Sequence, residues 1–162
     1  MAAQPNLPAV EFEFEVRISR PVHEVFAYLT DVRNVPEWQE SAVSAEWIEE
    51  GKRFRERRTF MGRNADLELE VTAFEPDRRF DVEAVKAPVK FGIHHSFEAV
   101  DGGTLVRVHG GAKLSGALRF AGRMAKRQAE GQFRNDFARL KEVLERRDEE
   151  SPSDRPPRLA EE

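Results

Sequence analysis

The sequence predicts an α+β fold: a curved antiparallel sheet of about seven strands around one long C-terminal helix, with two short helices after the first strand. Three observations carry this expectation. Residues 10–18, VEFEFEVRI, alternate between apolar and charged side chains almost without fault. Further alternating runs follow, punctuated by Gly51, Gly62, Pro76-Asp77, Pro88 and Asp101-Gly102. From about residue 116 to 147 the apolar spacing changes to the three-and-four pattern of a helix.

The chain has 162 residues, a length that suits one domain. Hydrophobic residues make up 40%, and 12 Phe suffice for one sizeable core. No apolar run approaches the ~18 residues of a membrane-crossing helix. The start, MAAQPNLPAVEFEF, lacks the basic and apolar regions of a secretion signal, so none is expected. Absence of Cys excludes disulfides, thiolate zinc sites and cysteine nucleophiles, and suits a cytoplasmic location. The net charge of −4 resides in residues 148–162, which hold six acids and two Arg; the remainder balances 24 basic residues against 24 acidic. A balanced body predicts no nucleic-acid partner. The expected organisation is an N-terminal extension (1–8), a folded domain (9–147) and a disordered acidic tail (148–162).

Each element follows in order. In the first strand, Phe12, Phe14, Val16 and Ile18 share one face, and Glu11, Glu13, Glu15 and Arg17 the other. Ser19 is the expected cap of a helix with Pro21 in its first turn and Val22, Val25, Phe26 and Leu29 as its apolar stripe. Asp31 is placed to cap a second short helix, limited by Pro36. Clear strands are expected at 65–74, 79–85, 90–100 and 104–109, with fainter ones near 42–49 and 53–61. If Asp101-Gly102 is a two-residue hairpin turn, Val100 faces Gly103, His95 faces Val108 and His94 faces His109. Gly110-Gly111 is expected to end that strand. The long helix offers Leu118 and then small residues first (Ala121, Gly122, Ala125, Ala129) and bulky ones later (Phe133, Phe137, Leu140, Val143, Leu144). The later half should seal on the sheet. The first half either leaves a hollow or packs close to a strand.

This order, with FEFEVRISRPVHEVFAYLTDVRNVPEW at 12–38, RFRERRTFMGR at 53–63, HHSFEAVDGGTLVRV at 94–108 and FARLKEVLE at 137–145, resembles the helix-grip superfamily. That superfamily includes START-related lipid-binding domains, birch-pollen-allergen-like proteins and polyketide cyclase-like proteins. The resemblance implies a cavity between sheet and long helix for a hydrophobic small molecule such as a lipid or polyketide. A cyclase or dehydratase-type enzyme on the same cavity is the related alternative.

Candidate ligand contacts are Trp38, Phe54, Glu56, Arg58, Phe60, Leu69, Phe80, Phe91, His95, Phe97, Leu118, Ala121 and Ala125. Each has a plainer alternative: Trp38 as a core anchor, His95 as a satisfied core group, and Glu56 with Arg58 as a mutual ion pair. His94 and His95 point to opposite faces, and no third ligand joins the outward His94 and His109, so no metal or other cofactor is expected. No Gly-x-Ser-x-Gly, Ser/His/Asp order, phosphate loop or dinucleotide pattern is present, and no catalytic residue is assigned. A reading of another class is a peripheral membrane-binding module. Lys113, Arg119, Arg123, Lys126 and Arg127 occur with no acid between 112 and 129, beside Leu118, Phe120 and Met124.

Overall fold

A computed structural model describes residues 9–60, 62–113 and 122–149. The elements are β1 (Ala9–Ile18), α1 (Val22–Thr30), a 3-10 turn (Val32–Asn34), α2 (Val35–Trp38), β2 (Ala42–Glu49), β3 (Arg53–Phe60), β4 (Arg63–Glu75), β5 (Arg79–Lys86), β6 (Lys90–Val100), β7 (Gly103–Lys113) and α3 (Gly122–Glu149). The strands form one 7-stranded antiparallel sheet in the order β1-β7-β6-β5-β4-β3-β2. The predicted α+β helix-grip architecture is therefore present. No helix among the described residues is long and apolar enough to cross a membrane.

The alternation of β1 is realised as a buried inner face, with Phe12, Phe14 and Ile18 in the core. The β6–β7 hairpin has the expected register, with Val100 opposite Gly103, His95 opposite Val108 and His94 opposite His109. β7 continues past the expected stop at Gly110-Gly111 to Lys113. Gly110 is needed inside the strand because the Phe12 ring stands where a side chain would begin, 2.3 Å from the Cβ position. Phe12 in turn packs on Phe133 of α3, with ring centroids 4.9 Å apart.

α3 runs in the same direction as β1. Phe133 meets Phe12, Phe137 meets Phe14, Lys141 Nζ donates to the Arg17 carbonyl at 2.6 Å, and Glu145 accepts from the Ser19 amide at 3.0 Å. That last bond corrects the expected capping role of Ser19. The residue before α1 is Pro21, which makes no side-chain cap, while Ser19 ties the end of β1 to α3. Asp31 does cap, accepting from the Arg33 amide at 3.2 Å, but it caps the 3-10 turn. Pro36 lies within the first turn of α2, where a missing N–H costs nothing, so it opens that helix and does not limit the turn before it. α1 closes the end of the sheet where β1 finishes. Phe26 meets Phe97 at 5.0 Å and Phe74 at 5.2 Å, and Thr104 Oγ1 donates to the Arg20 carbonyl at 2.7 Å. Asp148 and Glu149 of the expected tail continue α3, while residues 150–162 and the stretch 116–121 expected to begin the long helix lie outside the described residues.

Candidate functional site

The inner face of the sheet is apolar and largely aromatic, as strand parity requires. Phe54 and Leu69 sit opposite each other on β3 and β4, Val71 faces Val82, and Phe80 stands beside His95. Into this face project a few ionisable groups, and they come from three separate elements.

The first group belongs to β3. Glu56 is 4% exposed, and Arg58 Nε donates to its Oε2 at 2.7 Å. The guanidinium also donates to Ser41 Oγ at 2.8 Å and to the Gln39 side-chain oxygen. Both partners lie on the segment between α2 and β2. Arg58 is thus held by three fixed acceptors, so its planar fork is oriented in advance.

The second group is Asp136 on α3, 6% exposed, whose Oδ1 accepts from the Glu40 amide at 3.2 Å. Burial raises its pKa above the usual carboxylate range, and that hydrogen bond and the Arg58 charge oppose the rise. The third group is His95 on β6. Its Nδ1 lies 2.8 Å from the Phe80 carbonyl oxygen, which can only accept, so Nδ1 carries the proton and Nε2 the lone pair. Phe80 and Phe137 flank the imidazole, each 5.8 Å away between ring centroids. Desolvation pushes its pKa down to about 4, so the ring is neutral at pH 7. Trp38 stands against Phe137 at 5.1 Å, fully buried.

The structure gathers Trp38, Glu56, Arg58, Phe80 and His95 around the middle of α3, with Phe137 in contact with several of them. Phe54 and Leu69 are buried toward β2, where Trp47 meets Phe54 at 5.6 Å. Phe97 instead serves the α1 closure. Phe91 and Ala125 are half-buried. The Phe60 side chain, Leu118 and Ala121 lie outside the described residues. Asp136, Gln39 and Ser41 were not among the candidates. Asp136 carried a signal: it falls between Phe133 and Leu140 on the helix stripe, a carboxylate where the pattern calls for an apolar residue. Gln39 and Ser41 carried none.

The outer face holds a different arrangement. The register aligns Glu13, His109, His94 and Asp81 in one row across four strands. They border a groove of about 150 Å³ with Arg79, Ser96 and Arg107. Asp81 is 2% exposed and accepts from Arg79 Nε at 2.7 Å, and its Oδ1 has no partner among the described residues. No three His, Asp or Glu side chains among the described residues are grouped to hold a metal ion.

The family described as polyketide cyclase / dehydrase and lipid transport matches residues 9–145 of the chain. Among solved structures, the chain is similar to the Zhui aromatase/cyclase of a Streptomyces species, with 16% identity, a TM-score of 0.75, and coverage of 91% of this chain and 99% of that one. It is similar to the di-domain ARO/CYC StfQ of the steffimycin biosynthetic pathway, with 15% identity, a TM-score of 0.73, and 86% of this chain covering 52% of that one. It is also similar to a START superfamily protein from Mycobacterium smegmatis, at 16% identity and a TM-score of 0.71, covering 86% of this chain and 97% of that one. At these identities the likeness is one of fold. No curated protein matches the chain.

Proposed function

The chain belongs to the polyketide cyclase / dehydrase and lipid transport family, and on that footing we propose that it binds a hydrophobic small molecule with a polar oxygen function between the sheet and α3. The observation that supports this reading most is the set of buried ionisable groups on an otherwise aromatic face: Glu56–Arg58 from β3, His95 from β6 and Asp136 from α3. Structural cores of this size are more economically built from apolar side chains, since a buried ion pair seldom stabilises more than its apolar replacement. Aromatic walls supply the area for a lipid-like or polyketide-like body, and the oriented Arg58 supplies donors for its oxygen.

A second reading is that the bound molecule is converted, and the neutral His95 ring together with the buried Asp136 carboxyl favours it. The imidazole keeps an Nε2 lone pair that can accept a proton, although desolvation makes it a weaker base than an exposed histidine. Burial makes the Asp136 carboxyl hold its proton more tightly than an exposed one. Removal of a proton next to a ketone and protonation of a departing hydroxyl are the steps such a pair would serve in a cyclisation or dehydration.

The test is native mass spectrometry of the purified protein together with titration of N-phenyl-1-naphthylamine, an apolar fluorescent probe. One probe per chain should bind and be displaced by aromatic ketones. Replacing Glu56 and Arg58 together with Gln keeps the site neutral. It should weaken ketone binding about tenfold while leaving the hydrocarbon analogue unchanged. A folded protein that takes up no probe and carries no ligand would refute the binding reading.

A further inference from the structure

α3 lies parallel to β1, with Phe133 on Phe12 and Glu145 at Ser19. Its first turns therefore extend past the start of β1, at the end of the sheet away from α1. At this end Ala9 pairs with Lys113, and Lys113 also faces Lys90 on β6. Lys90, Lys113, Arg123, Lys126 and Arg127 are all exposed there. No ion pair or side-chain hydrogen bond among the described residues engages any of the five. The rest of α3 behaves differently, since Arg134, Lys141 and Arg146 each pair with a carboxylate one turn away.

Like charges are crowded at this end. Directly opposite on neighbouring strands they repel, as Lys90 and Lys113 do. Arg123, Lys126 and Arg127 add three cations three and four residues apart on α3, with no acid from Gly122 to Ala129 to offset them. An anionic surface laid across this end would relieve this repulsion. Met124, 77% exposed, stands among the cations and is the most exposed large apolar side chain of the described residues.

We propose that this end of the domain docks on an anionic lipid bilayer, with Lys90, Lys113, Arg123, Lys126 and Arg127 meeting headgroup phosphates and Met124 entering the interface. A bilayer fits better than a nucleic acid. The cations share the site with an exposed thioether, the exposed Phe74 ring lies at the opposite end of the sheet against α1, and Lys90, Lys113 and the α3 cations fall at one end of the domain instead of along a groove. The surface stands on its own charges whether or not the interior takes a ligand.

The experiment is co-sedimentation of the full chain with vesicles of phosphatidylcholine alone or with about one quarter phosphatidylglycerol. Binding is expected only to the anionic vesicles, weakening at least about tenfold between about 50 and 500 mM salt. Changing Arg123, Lys126 and Arg127 together to Gln should lower that binding at least about tenfold with the melting temperature unchanged. If that protein does not fold, Lys90→Gln with Lys113→Gln gives the same readout on the strands. Equal binding to neutral vesicles, or no loss in either variant, overturns the proposal. So does binding to a single-stranded oligonucleotide with none to anionic vesicles.

Discussion

His95 shows what one buried ring does to the whole chain's response to acid. Folding removes it from water, and this desolvation drops the folded pKa from 6.5 to about 4 against the opposing pull of the Nδ1 bond to the Phe80 carbonyl. The unfolded chain then binds a proton at a pH where the folded one does not. Stability contributed by this ring is full above about pH 6.5 and is lost as pH falls toward 4. The drop amounts to ~3 kcal/mol from a shift of this size. Asp136 acts with the opposite sign: its raised pKa favours the folded state on protonation, and so offsets part of the loss. Chemical denaturation from pH 7 to 4 should show a steep decline in the native protein and a shallower one in His95→Gln. Parallel curves would mean that the ring is charged or solvated in the folded protein. His95→Leu separates two roles of the same residue. A ligand contact predicts weaker probe or ketone binding per folded molecule. A purely structural hydrogen bond predicts a stability loss of about 1–3 kcal/mol with affinity intact.

At the scale of elements, strand faces were legible and joints were not. Alternation in a sequence is a direct record of which side chains leave water, so β1, β6 and the register of the β6–β7 hairpin followed from parity and one two-residue turn. Joints depend on what arrives from elsewhere. Ser19 looks like a cap when only its neighbours are considered, yet its amide is met by Glu145, 126 residues away. Gly110-Gly111 looks like a stop, yet the glycine serves a ring on the adjacent strand. Gly103 is the sharpest case. A Cβ there would lie 2.2 Å from the Ile18 carbonyl oxygen, and backbone cannot swing aside as a side-chain tip can. Gly103→Ala should therefore push β7 from the end of β1 and cost on the order of 1–3 kcal/mol in thermal or denaturant unfolding. A change under about 0.5 kcal/mol would show that the two strands separate freely at this joint.

For the molecule as a whole, the sheet, the long helix and their order were written in periodicity, whereas the site was only half written. Glu56 and Arg58 were visible because the opposite face, with Arg53, Arg55, Arg57 and Thr59, has to be solvated; Gln39 and Ser41 were invisible because no periodicity governs the segment between α2 and β2. The unsettled question was how closely the first half of α3 approaches the sheet, and Ala125 is where one substitution decides it. It lies half-buried one turn before Ala129, which packs on the edge of the core, while the full seal begins with Phe133 and Phe137. If this part of the helix borders a hollow, Ala125→Phe places a ring in empty space. Stability then holds or rises, and uptake of N-phenyl-1-naphthylamine falls. If the helix is already in contact there, the ring overpacks the site and costs about 1–3 kcal/mol. The combination of an unchanged melting temperature with lost probe uptake is the expected result. A strongly destabilised variant, together with a native protein that takes up no probe, would place the helix against the sheet along its described length and leave no room for a ligand.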